Sequence, residues 1–142
     1  MLFLQSCESK QNELFDKFKD EFQNSIKKSN SKKFEYQFDG LSPQNSYFVG
    51  CKLKYLTLKS SGELTDREEL IIFEKDSISK IIKRVEIYEG NDNGNEAGRN
   101  WSKIESDSIY IIDFIKMKED IYANNILVKT VVMIKPDRKS VV

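Results

Sequence analysis

The hydrophobic period of this chain changes once, near residue 30, and that change constrains its fold more than any other feature. Before it, Leu14, Phe15, Phe18, Phe22 and Ile26 recur at the three- and four-residue spacing of one helical face, with Asp, Glu, Lys, Gln and Asn filling the other. After it, Phe34, Tyr36 and Phe38 alternate with Glu35, Gln37 and Asp39, the period of a half-buried strand. The first pattern predicts one helix over residues 8–28. Lys27 and Lys28 close its last turn, where cations suit the helix dipole, and Ser29-Asn30-Ser31 stops it.

The remainder reads as strands. Gly40 to Asn45 is a loop, and a long strand is expected from Tyr47 to Lys59, with a β-bulge near Tyr55 to correct a slip in its alternation. Leu70-Ile71-Ile72-Phe73 is a continuous apolar run and belongs in the middle of a sheet. Asp76-Ser77 is a tight turn. It leads into a strand from Ile78 to Glu89 that is expected to carry Ile81, Val85 and Ile87 on one face. Further strands are expected at about Ser108–Met117 and Asn125–Lys135, with Lys118–Asn124 readable as a turn or a helical turn. The fold class is therefore α+β, mainly β: an amphipathic helix packed on a curved antiparallel β-meander or open barrel of about six strands. Residues 8–135 form the single domain, and 136–142 a C-terminal tail.

Composition excludes more functions than it suggests. The chain has no histidine, which removes the commonest general base and the commonest metal ligand together. Cys7 and Cys51 are the only cysteines, too few for a Cys-only zinc site. Cys51 sits between Val49 and Leu53 in the alternation, which predicts burial. Acidic and basic residues number 23 each, so there is no overall basic excess for nucleic acid. Lys27, Lys28, Lys32 and Lys33 cluster, but as a solvated helix end. No nucleotide-binding glycine pattern occurs, and no cofactor is expected.

Three weak candidates remain. Glu89, Asn91 and Asn93 place oxygens at alternate positions of the Glu89–Glu96 segment, a spacing that calcium can use, although Asn100 stands where a bidentate Glu would be needed. Trp101, just beyond the polar loop from Gly90 to Asn100, could line the rim of a ligand site. The acidic pairs Glu68-Glu69 and Glu119-Asp120 could do acid–base work, but are expected at strand ends and turns, in water.

The N-terminus carries the one informative motif. Leu2-Phe3-Leu4-Gln5-Ser6-Cys7 is an apolar stretch ending at a small residue and a cysteine, with the polar Glu8-Ser9-Lys10 following at once. Leu4, Ser6 and Cys7 resemble the lipobox of bacterial lipoproteins. Gln5 departs from that pattern, as does the short segment before the box, which lacks a basic region. The resemblance implies that residues 1–7 are a signal-peptide remnant and that Cys7 takes an acyl group such as palmitate. The protein would then sit in the cell envelope, anchored to a membrane by its lipid. With no catalytic motif, the expected function is a non-catalytic domain binding a protein partner or small ligand. The competing expectations are a cytoplasmic interaction or immunity-type module and, behind it, a small hydrolase or isomerase using carboxylates. Cys7→Ala should abolish fatty-acid labelling of the full-length precursor and release it from membranes, as read by acyl labelling and fractionation. Unchanged membrane association would remove the anchor.

Overall fold

The computed structural model describes residues 13–36, 44–90 and 99–133, with the side chains of residues 13, 90 and 99–103 left aside. One helix, α1 (Glu13–Ser29), precedes eight strands: β1 (Lys32–Tyr36), β2 (Gln44–Val49), β3 (Lys52–Ser61), β4 (Thr65–Glu74), β5 (Ser77–Gly90), β6 (Arg99–Asp113), β7 (Lys118–Ala123) and β8 (Ile126–Val132). All eight form one antiparallel sheet whose spatial order is the sequence order. The sheet is not closed: β1 pairs only with β2 and β8 only with β7, so of the two expected forms the antiparallel meander is found and the barrel is not, and the strands number eight where about six were expected. The Cys7 lipobox with Leu4 and Ser6, residues 8–12 of the expected helix, and the 136–142 tail lie outside the described residues.

Turn chemistry makes the meander. Lys75-Asp76 and Asn124-Asn125 both hold positive φ at two successive positions, the backbone of the tight hairpin turns between β4 and β5 and between β7 and β8. Gly50, at φ 65°, turns the chain from β2 into β3 and splits the strand expected over Tyr47–Lys59. The slip in alternation had two sources. One was this hairpin. The other is a genuine irregularity beside Tyr55, where Tyr47 pairs with Tyr55 and Phe48 with Leu53, leaving Lys54 bulged. Cys51 therefore occupies the turn and is exposed, not buried among Val49 and Leu53. Lys118–Asn124 is mostly strand β7, so Glu119 and Asp120 lie within a strand and not in a turn.

One face of the sheet is covered by α1. Its apolar stripe buries Phe15 and Phe22 against Tyr55, Leu70, Ile82 and Ile109, with Leu14, Phe18 and Ile26 packed around them. Phe22 meets Tyr55 edge to face at 5.4 Å, a contact of about 0.5–1.5 kcal/mol beyond its burial. The Asn125 side chain in the β7–β8 turn accepts a hydrogen bond from the Leu14 amide, pinning the first turn of the helix. Successive residues of a strand face opposite sides. In β5 it is Ile82, paired with Leu70 and Ile111, that faces the helix. Ile81, Val85 and Ile87 do share a face, but it is the one turned away from α1, and Ile87 is exposed.

Phe15 is 1% exposed and belongs to a buried cluster with residues of four strands, so Phe15→Ala should lower the unfolding free energy by about 3–5 kcal/mol in urea melts. Ile126→Ala, on the exposed edge strand, should change it by no more than about 0.5 kcal/mol.

Candidate functional site

The face that carries the core residues also carries charge. Reading across the strands, Thr57, Leu70, Ile82 and Ile111 pair in one row. Two residues along, the row is Lys59, Glu68, Arg84 and Ile109; two further along, it is Ser61, Asp66, Glu86 and Asp107. The helix covers the first row and only part of the second. Beyond its flank, a cavity of about 420 Å³ opens over the ends of β3, β4 and β5, lined by Lys59, Ser60, Ser61, Asp66, Arg67, Glu68, Arg84 and Glu86. Ser60 and Arg67 alternate out of this face, so the side chains that look into it are the other six.

Arg84 organises the floor. Its guanidinium grips Asp107 through two hydrogen bonds, Nε to Oδ1 and Nη2 to Oδ2, both 3.2 Å. Nη2 also lies 2.9 Å from Glu86 Oε2. The Phe15 ring covers it at 5.5 Å, a cation–π contact between helix and site. Arg84 and Asp107 are 8% and 3% exposed, which makes this a buried ion pair and not a surface one. Removing one partner of such a pair commonly costs about 3–5 kcal/mol, because the other charge is stranded. Nearby, Lys19 of α1 binds Glu68 at 2.7 Å. At the rim the Tyr88 hydroxyl donates to Asp66 Oδ2 at 2.8 Å. Burial and this bond push the tyrosine up to about 12, so it remains a donor across the neutral range.

The carboxylates respond to this setting. Burial raises Glu86 above the ordinary Glu range; Arg84 pulls it down, Asp107 pushes it up, and the net shift is upward. Burial likewise raises Asp107 despite its grip on Arg84. Asp113, at the far end of β6, behaves oppositely. Burial opposes its charge, but the amides of Lys116 and Ile115 donate to it at 2.9 and 3.0 Å, with Lys80 and Lys116 nearby, and its pKa is lowered. It shapes the turn after β6 and takes no part in the cavity.

A second cavity, about 230 Å³, follows the same flank of α1 toward β2. Lys19, Phe22, Gln23, Ile26, Asn45, Tyr47 and Leu70 are among its lining residues, and it shares Lys59 and Glu68 with the first.

The residues singled out by sequence contribute little to this site. Of the calcium candidates, Glu89 is the last residue but one of β5, while Asn91 and Asn93 lie outside the described residues. Among the described residues no group of three or more acidic or cysteine side chains is placed to hold a metal ion. Trp101 falls on β6, and its side chain is likewise outside the described residues. Glu68, expected at a strand end in water, instead sits inside β4 and faces the helix. Glu119 pairs with Ile112 across the sheet, and Asp120 accepts from the Thr130 hydroxyl at 2.8 Å; neither reaches the cavity. Asp66, Arg84, Glu86 and Asp107 were missed. A signal existed: each falls in phase with a core residue, Leu70, Ile82 or Ile109.

No helix among the described residues is long and apolar enough to cross a membrane. Comparison with protein-family models, curated proteins and solved structures finds no match to the chain.

A carboxyl whose folded-state pKa exceeds its unfolded value contributes most to stability at low pH and loses that contribution as pH rises through the folded value. Glu86 and Asp107 are both of this kind. Glu86→Gln removes one of them, so the stability of the variant relative to wild type should improve between about pH 4 and pH 7. Urea melts across that range check it, and a difference independent of pH would contradict the assignment.

Proposed function

We propose that this chain is a non-catalytic ligand-binding domain of the bacterial cell envelope, held at a membrane by an acyl group on Cys7, and that its ligand is a small polar molecule seated beside α1. The observation that carries the binding reading is the cavity over Arg84 and Glu86. Its floor is a bonded cluster of charges, and ligand sites commonly combine a concave surface with a few fixed polar groups. Such a cluster is expensive to bury, and burying it beneath the open flank of the helix is more readily explained by recognition than by stability. The membrane anchor rests on Leu4, Ser6 and Cys7, and the polar residues that follow them.

A second reading, a hydrolase or isomerase using carboxylates, has one observation in its favour. Glu86 lines the cavity and ionises above the ordinary range, as a general acid must. Binding is preferred because Glu86 is already engaged by Arg84 at 2.9 Å, a structural use of its charge.

Titrating the isotopically labelled full chain with free amino acids, methyl glycosides and short alkylamines should move the amide resonances of Ser61, Glu68, Arg84 and Glu86 for at least one class. Shifts confined to β8, or no shifts at all, would reject the cavity as the binding site.

A further inference from the structure

The tip of the β7–β8 hairpin leaves aliphatic side chains in water. Ile126, Leu127 and Val128 are 66, 50 and 58% exposed. They begin β8, an edge strand of the sheet, and no charged residue lies between Asp120 and Lys129. The three do not share a face. Leu127 pairs with Tyr122, which packs beside Phe18 of α1, so Leu127 emerges on the helix side of the sheet. Ile126 pairs with Ala123 and emerges on the other side. Val128 is bulged out of the register between Leu127 and Lys129. This corner of the sheet is thus an apolar wedge with side chains on both of its faces.

The position of the wedge identifies its partner. Asn125, in the turn of the hairpin, accepts from the Leu14 amide at 3.3 Å, so the wedge stands beside the first turn of α1. Cys7 lies seven residues before Leu14. Seven residues span at most ~25 Å even when fully extended. An acyl group on Cys7 therefore holds the first turn of α1, and the hairpin bonded to it, within about that distance of a bilayer surface. Strand addition by a second copy is the competing use of an open edge. The bulge at Val128 and the charge of Lys129 interrupt the ladder that such pairing needs, and both are devices that blunt edges. Lipid requires no register. The open backbone groups of an edge strand cannot enter hydrocarbon unsatisfied, so the contact belongs at the headgroup boundary, with the side chains dipping below it. Phe114, Ile115 and Val132 are exposed as well, but they lie at the opposite end of β7 and β8, beside Lys116 and Lys118.

Resting on the acylated Cys7 of the reading above, we propose that Ile126, Leu127 and Val128 form a second membrane contact, seated in the interface of the leaflet that holds the lipid anchor. The wedge has one adjacent cation, Lys129, so apolar burial and not attraction to anionic headgroups sets its affinity. The anchor limits how far the domain strays, and the wedge fixes which end of it meets the bilayer.

The test uses the full chain carrying Cys51→Ser, which leaves Cys7 as its one thiol, alkylated there with a hexadecyl maleimide. Because the acyl substitute is attached chemically, the result does not depend on whether a cell acylates Cys7. Partition onto phosphatidylcholine vesicles is read by sedimentation, and contact by amide hydrogen exchange. Exchange at Ile126, Leu127 and Val128 should slow on vesicles. Replacing all three by Ser should weaken partition at least about tenfold, since half or more of each side chain is exposed for burial. Ile115→Ser should leave partition unchanged. The exchange measurement is made without the triple substitution and stands even where that variant folds poorly. Undiminished partition of a folded triple variant, or protection that falls at Phe114 and Ile115 or at Lys27 and Lys28 instead, would overturn the proposal. A doubled mass in vesicle-free solution that the triple substitution abolishes would assign the wedge to a second copy. Fatty-acid labelling of the native precursor decides the anchor separately, so loss of either reading is distinguishable from loss of the other.

Discussion

The described structure depends on how α1 lies across the sheet, since it is the one helix among the described residues. An open sheet exposes two faces, and a single 17-residue helix can cover only part of one. Phe15 and Phe22 decide which part. Phe15 stacks on Arg84 and Phe22 meets Tyr55 edge to face, both within one buried cluster with Leu70, Ile82 and Ile109. The ends of β3, β4 and β5 are left uncovered on the same face, and there the cavity forms. Site and core are two consequences of one packing event.

Arg84 lies on the boundary between them. It is in phase with Ile82, so its strand position carries it under the helix, and its charge must be met there. Asp107 meets it in bidentate fashion, Glu86 adds a third carboxylate contact, and the face of Phe15 closes the top. Apolar residues in place of both partners would often serve stability as well or better, since desolvating an ion pair offsets much of its attraction. The pair makes sense as a fixed electrostatic floor for the open side of the cavity. Burial raises Glu86 and Asp107 alike, so desolvation works against the charged form of both.

Much of the architecture was readable from periodicity. The helix, the strand-rich remainder, the turn at Asp76 and the irregularity beside Tyr55 follow from local spacing. The misreadings share a cause. In β5 both parities are apolar, Ile81, Val85 and Ile87 on one and Ile82 and Tyr88 on the other, so alternation alone selects neither. Arg84 and Glu86 lie on the other parity, in phase with Ile82 and the core, which alternation alone does not reveal. In the same way Gly50-Cys51 passed for the interior of a strand, because a hairpin there preserves the apolar content on both sides while reversing the chain.

By itself, the sequence determined many of the local states: the segment that winds, most of those that extend, and the turn at Asp76 that reverses the chain. These depend on neighbours a few residues away. It also ruled out histidine chemistry and a cysteine-only zinc site outright, by lacking the atoms. Tertiary structure alone decided which side of the sheet became interior, and with it the meeting of Asp66, Arg84, Glu86 and Asp107. That choice depends on where the aromatic stripe of α1 docks, a contact between residues far apart in the chain. No local rule ties position 15 to position 84, and only the packed sheet brings them together.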